Sequence, residues 1–272
     1  TAGVGTANTG GHVTIASGVG TAQSSGSVTI ITAAADAVGV SGDLLFSSGT
    51  ATSGATGAIT IGSGAATNGA AGAVSVTVGH SNKGDASAMT LTAGETTNGF
   101  GGTMTITAGK GSTSGGSVTL TAGVGTANTG GHVTIASGAG TAQSSGHLTV
   151  RTANSVTAGV SGTLVFSSGT TKSGDSGDIL IGTGLATGGN GGSVIVTVGK
   201  GDTTNGGDIV IEAGESTAAG KNGGQVTITA GQGPNVGGDI VVTSGVGSGS
   251  SGAISIASSA TSATSGDLLF SS

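Results

Sequence analysis

The chain has 272 residues, of which 61 are Gly, one is Pro and none is Cys, Trp or Tyr, and its net charge is −6 with 7% charged residues. The lack of Cys excludes disulfides and thiolate metal sites, and six scattered Lys and Arg form no basic patch for a phosphate backbone. We therefore expect neither a conventional core nor a nucleic-acid partner.

A short apolar pattern returns about every fifteen residues from one end of the chain to the other. Each copy contains a triplet whose first and third residues are apolar, and we call its three positions the first, middle and third columns. The third column is always apolar, from Ile15 to Phe270, and so is the first. This period of two predicts a short strand with one buried face. The first-column residues are Val13, Val28, Leu44, Ile59, Val74, Met89, Met104, Val118, Val133, Leu148, Leu164, Ile179, Val194, Ile209, Val226, Ile240, Ile254 and Leu268.

Small residues fill the rest of each copy. The position two before the triplet is Gly in seventeen of the eighteen copies, and the position five after the first column is Gly in fourteen of seventeen. These glycines predict corners, because Gly adopts backbone angles that other residues avoid. Seven positions after the first column, every residue is Gly, Ala, Ser or Thr. That column predicts a second wall pressed against the apolar one.

These features predict an all-β fold, a parallel β-solenoid (β-helix) with about 15 residues per rung, 18 rungs and a thin two-walled cross-section. Residues 1–272 are expected to be one continuous segment of a longer repeat array. A period of eight rungs gives super-repeats of about 1–120, 121–243 and a partial 244–272, since residues 1–26 match 121–146 at all positions but one. The motif SGDLLFSS at 41–48 returns as SGTLVFSS at 161–168, eight rungs later, and again at 265–272, only seven rungs after that.

The middle column turns apolar in part of the chain, and four consecutive triplets from 164 to 211 are then apolar throughout. A continuous apolar run implies cover on both faces, whereas an exposed strand alternates. The column therefore predicts a lateral interface with another chain, the alternative being a scatter of surface aliphatic residues. The predicted interface residues are Leu45, Val165, Leu180, Ile195, Val210, Val241 and Leu269.

Four copies carry Thr both in the middle column and two positions later. This Thr face resembles the Thr-x-Thr arrays of insect antifreeze β-solenoids, which implies ice binding or adhesion. The alternative is a solvated sheet on which Thr is favoured by its β propensity. The Thr face consists of Thr90, Thr92, Thr105, Thr107, Thr119, Thr121, Thr227 and Thr229.

Metal and catalytic motifs are weak. Gly-Gly-Asp at 206–208 and 237–239 resembles calcium β-rolls, but no regular carboxylate ladder accompanies it, and His132 and His147 lack a third ligand. No Ser-His-Asp constellation or phosphate loop is visible. We expect no enzyme activity, no cofactor and no metal site.

No run approaches the roughly 18 apolar residues of a membrane helix. The Ser- and Thr-rich turns are compatible with O-glycosylation. The expected partners are therefore other copies of this chain or related chains, and also glycans.

The order of the repeat copies also carries a resemblance. SGDLLFSSGT at 41–50, GAITIGSGAAT at 57–67, VSVTVG at 74–79 and MTLTAGETT at 89–97 resemble the Gly/Ser/Thr-rich repeat arrays of stramenopile and algal cell-surface proteins. The resemblance implies an extracellular fibre such as a flagellar hair (mastigoneme). We therefore expect a structural protein forming the shaft of an extracellular filament by rung stacking and lateral packing with related chains, the alternative being an ice-binding or adhesin-type solenoid.

Overall fold

A computed structural model describes residues 1–4, 6, 9–36, 38–156, 159–259 and 265–271. None of these residues lies in an α-helix or a β-strand. The predicted all-β parallel β-solenoid is therefore wrong, and so are the stacked rungs, the two-walled cross-section and the description as a β-helix. Ser272, which closes the last repeated motif, lies outside the described residues.

Closed loops replace the predicted return wall. In nine copies, the Gly two positions before a triplet donates its backbone N–H to the carbonyl of the Gly five positions after the preceding first column, at N···O distances of 2.8–3.1 Å. We call this closing pair the neck. The loop between its two glycines spans seven, eight or ten positions. The donor and acceptor pairs are Gly11 and Gly3, Gly26 and Gly18, Gly102 and Gly94, Gly116 and Gly109, Gly131 and Gly123, Gly146 and Gly138, Gly224 and Gly214, Gly238 and Gly231, and Gly252 and Gly245.

In the nine copies that have one, the neck gives a physical reason why no sheet forms. A solenoid needs the backbone groups beside a triplet to bond to the next rung, but in a neck the N–H before one triplet bonds to the carbonyl after the preceding triplet, across one loop. Closing a loop of about eight residues costs less entropy than aligning segments about fifteen residues apart. Two large side chains per repeat also offer little apolar surface to offset the ordering of a glycine-rich chain. Among the described residues, no backbone hydrogen bond joins one triplet to another.

The described part of the chain has no buried residue. Its accessible surface is 26,368 Å², against roughly 10,000 Å² for a compact monomer of this mass. The first-column side chains are still the more covered ones, since Leu164 is 48% exposed and Val165 beside it 71%. The sequence thus correctly predicts that first-column side chains are more covered than middle-column ones. The buried core that it also predicts is absent from the described residues.

Partial burial falls on small residues at two positions of the repeat. Eight of the eleven half-buried described residues lie four positions after a first column, at the neck, and the other three lie seven positions after it. These two positions line the loops. The residues seven positions after a first column are therefore small because they line a loop, and not because they form the predicted second wall. The half-buried residues are Ser17, Thr32, Ala93, Ala108, Ala122, Thr152, Ala230 and Ser244, and then Ser81, Ser216 and Gly233.

The position seven after the first column, which we call the loop column, faces the returning half of its own loop. At Gly140 an added Cβ would overlap the carbonyl oxygen of Gln143, and at Gly111 that of Ser114. Most described loops without Gly in this column use another device, a Gly with positive φ nine to eleven positions after the first column. Seven described glycines have it, at φ 71–129°: Gly54, Gly84, Gly99, Gly159, Gly174, Gly188 and Gly220.

The glycines that flank the triplets have another cause. None of the seven positive-φ glycines flanks a triplet, so the predicted reason for the corner glycines is wrong. At the tighter necks the donor glycine is favoured by close approach, because a Cβ on Gly102 would stand 3.0 Å from the nitrogen of Gly94. The acceptor glycine has free space instead, since a Cβ on Gly94 would meet nothing within 4 Å.

The chain divides into two compact units. The first unit is Thr1–Ile135 and the second unit is Ala136–Ser272. Each unit contains the same succession of triplets and loops, and the division falls directly after one triplet, whose third-column residue is Ile135. The described residues include no helix of the length and apolarity that would cross a bilayer.

Candidate association surface

The middle-column side chains stand out into solvent. All seven residues of the predicted lateral interface are between 71% and 87% exposed. Nothing in the chain covers Val165, Leu180, Ile195 or Val210, so each presents an aliphatic side chain to its surroundings. Their cover by another chain stays a prediction.

Two side-chain contacts define the face on which the middle column lies. Ser75 Oγ in the middle column is 3.4 Å from the Thr77 hydroxyl two positions later. The Gln225 amide, one position before its triplet, donates a 2.6 Å hydrogen bond to the middle-column Thr227. Positions one before, one after and three after the first column therefore share a face. This is the alternation that the sequence predicted, retained without a sheet.

Two described apolar clefts are duplicates of one another. In the second unit, Phe166 and the triplet 179–181 line an apolar cleft of about 380 Å³. In the first unit, Phe46 and the triplet 59–61 line a cleft of about 370 Å³. The two sets lie 120 residues apart, at equal positions of the super-repeat. Consecutive triplets thus stand side by side with a gap that can admit another molecule's side chain.

Sequence reasoning missed these clefts. The available signal was the third column, where Phe46 and Phe166 are the bulkiest residues and precede a triplet of smaller aliphatic ones. A pattern of alternating columns treats Phe, Ile and Val alike, so it does not reveal where a large ring holds two segments apart. Phe100, fully exposed on a loop between Gly99 and Gly101, was missed because it lies outside the triplets.

The members of the Thr face are all exposed. Six of them lie in the first unit, on three consecutive copies, and Thr227 and Thr229 lie in the second unit. They offer hydroxyl and methyl groups on the same side of the chain as the middle column. Their binding to ice or to another surface stays a prediction.

Carboxylates border the apolar middle column of the second unit. By the alternation established above, Asp178, Asp208 and Glu212 share the face of Leu180 and Val210. All three are exposed. These three carboxylates lie beside the uncharged middle-column residues of two repeats.

The remaining candidate motifs do not converge on a site. Within the described residues, no three His, Cys, Asp or Glu side chains stand close enough together to hold a metal ion. His132 and His147 and the Asp residues of 206–208 and 237–239 are exposed. The apolar middle column is therefore the surface with the most defined chemistry.

Comparisons with protein-family models, with curated proteins and with solved structures give no match to this chain.

Proposed function

We propose that this chain is a structural protein that assembles with copies of itself into an extracellular filament. The observation that carries the proposal is the exposure of the apolar triplets throughout the described residues. Monomeric soluble proteins rarely expose contiguous apolar patches of more than a few hundred Å². A chain that repeats such a patch along its length needs cover, and other copies supply it at every repeat.

The composition supports assembly into a durable extracellular material. Only 7% of the residues are charged, so little repulsion opposes close packing, and the lack of Cys leaves no thiol to oxidise. The repeat order resembles that of algal cell-surface arrays. The partners in this proposal are other copies or closely related chains, with glycans on the Ser- and Thr-rich loops as an addition.

The proposal is tested by the association state of the whole chain. The protein is diluted from denaturant and followed by sedimentation velocity over a range of concentrations, with electron microscopy of the same samples. We expect association that rises with concentration and elongated particles in the micrographs. A chain that remains monomeric at every soluble concentration would contradict the proposal.

The exposed Thr face favours a second candidate, an ice-binding or adhesive surface. Thr90, Thr105 and Thr119 present hydroxyls on three consecutive copies. The test is ice recrystallisation with the chain added before and after assembly, and with Thr105→Asp as the matched variant. Ice binding predicts inhibition that the variant loses, and crystal growth unaffected by the chain would exclude it.

A further inference from the structure

Asparagine followed by glycine recurs in the loops of this chain. Five of its ten Asn residues have Gly as the next residue, and none of these Asn-Gly pairs lies in a triplet. The Asn of every pair is exposed. Two pairs lie in the first unit and three in the second. The Asn-Gly pairs are Asn68-Gly69, Asn98-Gly99, Asn190-Gly191, Asn205-Gly206 and Asn222-Gly223.

The reactive group of such a pair is the backbone nitrogen of the glycine. That nitrogen can attack the side-chain carbon Cγ of the preceding Asn, so that an N–Cγ bond forms, the Cγ–Nδ2 bond breaks and ammonia leaves. Water then opens the resulting succinimide ring at one of its two carbonyls, which gives Asp or isoaspartate. Water is the only co-reactant. Glycine favours the attack, because it has no Cβ to hinder the approach and its backbone rotates most freely.

The structure leaves the attacking nitrogen free in all five Asn-Gly pairs. Within the described part of the chain, none of the five glycine N–H groups donates a hydrogen bond. The N–H that closes a neck belongs to a later glycine, as in the loop where Gly99 is free and Gly102 is the donor. The nitrogen can therefore turn toward Cγ without giving up a hydrogen bond of its own.

Four of the pairs also have open space around the glycine, and we call them the open pairs. An added Cβ would meet nothing within 4 Å at Gly69, Gly99, Gly191 or Gly206. The backbone on either side of these glycines can rotate without displacing a neighbour. Nothing in the described structure restrains the geometry that the reaction requires.

The fifth pair lies against a neck. An added Cβ on Gly223 would be 3.5 Å from the carbonyl oxygen of Gly214, and the next residue, Gly224, donates its N–H to that same carbonyl at 2.8 Å. Rotation of the backbone between Asn222 and Gly223 therefore disturbs the hydrogen bond that closes the loop.

We infer that the Asn residues of the open pairs are sites of spontaneous deamidation, and that the neck beside Asn222 slows the same reaction there. The inference goes beyond the proposed function, since the chemistry needs only one chain and water. Each conversion replaces a neutral amide with a carboxyl group, whose usual pKa of about 3.9 keeps it ionised at neutral pH. Conversion of all four open pairs takes the net charge from −6 to −10. The charge of this chain is then a function of its age.

The full chain contains the controls for a test. Asn82 and Asn235 are also exposed, but Lys83 and Val236 follow them, and a residue with a Cβ hinders the attack. The freshly prepared protein is incubated at mildly alkaline pH, where the attacking nitrogen loses its proton more readily, and is sampled over time.

Peptide mapping gives the rate at each Asn. Trypsin cuts after Lys and Arg, which places Asn98, Asn190 and Asn205 in separate peptides. Mass spectrometry with electron-transfer fragmentation then measures the conversion of each Asn and distinguishes Asp from isoaspartate. We expect the open pairs to react several times faster than Asn82 and Asn235, with isoaspartate among the products.

Gly206→Ala is the matched variant of an open pair. The position has room for the new Cβ, so the local structure is retained while the attack is hindered. The rate at Asn205 should fall to that of Asn82, and the rates at the other open pairs should stay as they are in the wild type.

The neck is tested at Asn222, where we expect a rate about fivefold below that of the open pairs, as the cost of one hydrogen bond implies. In Gly224→Ala the new Cβ lies 3.3 Å from the Gly214 nitrogen, which lengthens the hydrogen bond of the neck, so the rate at Asn222 should rise toward that of the open pairs. Gly214→Ala is the control, because a Cβ there meets nothing within 4 Å and the rate at Asn222 should not change.

The two parts of the inference fail separately. Equal rates at Asn190, Asn205 and Asn82 in one sample would overturn the assignment of the open pairs. A rate at Asn222 equal to theirs, or one that Gly224→Ala leaves unchanged, would overturn the role of the neck.

Discussion

Glycine has three separate tasks in this repeat, and each is visible at single residues. Gly131 is the donor of a neck, where another side chain would collide with the opposite backbone. Gly140 lines a loop that has no room for a Cβ, and Gly174 has a φ of 102°, which favours Gly over any other residue. Gly123 has none of these constraints, because a Cβ there would meet nothing within 4 Å.

The two glycines of one neck should therefore respond differently to substitution. In Gly131→Ala the new Cβ would lie 3.3 Å from the Gly123 nitrogen and 3.4 Å from the Ala122 Cβ, so the two sides of the neck must move apart by a few tenths of an ångström, which lengthens the hydrogen bond. We expect the amide of residue 131 to exchange with solvent about 5–10 times faster, as the loss of a hydrogen bond worth ~1 kcal/mol implies.

Gly123→Ala is the matched control, measured by the same amide exchange in nuclear magnetic resonance spectra. It changes the acceptor residue of the same neck, and the Gly131 amide should stay as protected as in the wild type. Equal effects of the two substitutions would contradict the close-approach explanation.

At the scale of the repeat, the chain uses two kinds of loop that do not overlap. Most described loops have either Gly in the loop column or a positive-φ Gly near their end, as Gly140 and Gly99 illustrate, whereas the loop with Ala66 in that column has neither. Either kind can close its neck, since the loops that end at Gly146 and Gly102 both have the hydrogen bond. The first kind brings its backbone close together, and the second kind reverses its direction with one left-handed residue.

The two devices should be exchangeable. Gly140→Ala places a methyl group against the Gln143 carbonyl, so we expect faster exchange of the Gly146 amide, which closes that neck. Adding Gln143→Gly installs Gly ten positions after the first column, as at Gly99, and should restore the protection. Failure of this double variant to recover would contradict the equivalence of the two loops.

The sequence predicts these elements in part. The alternation of Val118, Thr119 and Leu120 correctly indicates an extended segment with distinct faces, because alternation is a property of the local backbone. It does not indicate the partner of that segment, since the same glycines can close a loop or turn a corner between rungs. The pattern predicts that each segment stacks on the next rung. The hydrogen bond from Gly131 to Gly123 shows that the chain closes one loop instead.

The candidate surface was predictable to a similar extent. Leu180 and Ile195 could be found from sequence, because an aliphatic residue in a polar column is visible without coordinates. The cleft beside Leu180 could not, because it depends on how far Phe166 stands from the next triplet. Distances between segments follow from packing, which a repeat consensus does not contain.

At the scale of the whole molecule, the ratio of surface to mass is the main property. The chain exposes about two and a half times the surface of a compact monomer of its size. Burial of apolar surface is the source of cooperative unfolding and of its heat-capacity change. Both should therefore appear only when copies cover one another.

Calorimetry provides a test of this dependence. A dilute sample should show no cooperative heat absorption, and a transition should emerge and move to higher temperature as the concentration is raised. The apolar dye ANS should bind strongly to the dilute chain and less after assembly. A cooperative transition that is independent of concentration would mean that a single chain already has a core.

The necks also govern how such a chain can change its length. Loops of seven, eight and ten positions all end in the same hydrogen bond, so residues added at the tip of a loop leave the two neck glycines where they were. The tips are exposed, and exposed loop tips tolerate insertions. Each loop is thus an independent site for new sequence, and a peptide tag or a binding motif could be grafted there without shifting the apolar triplets on either side.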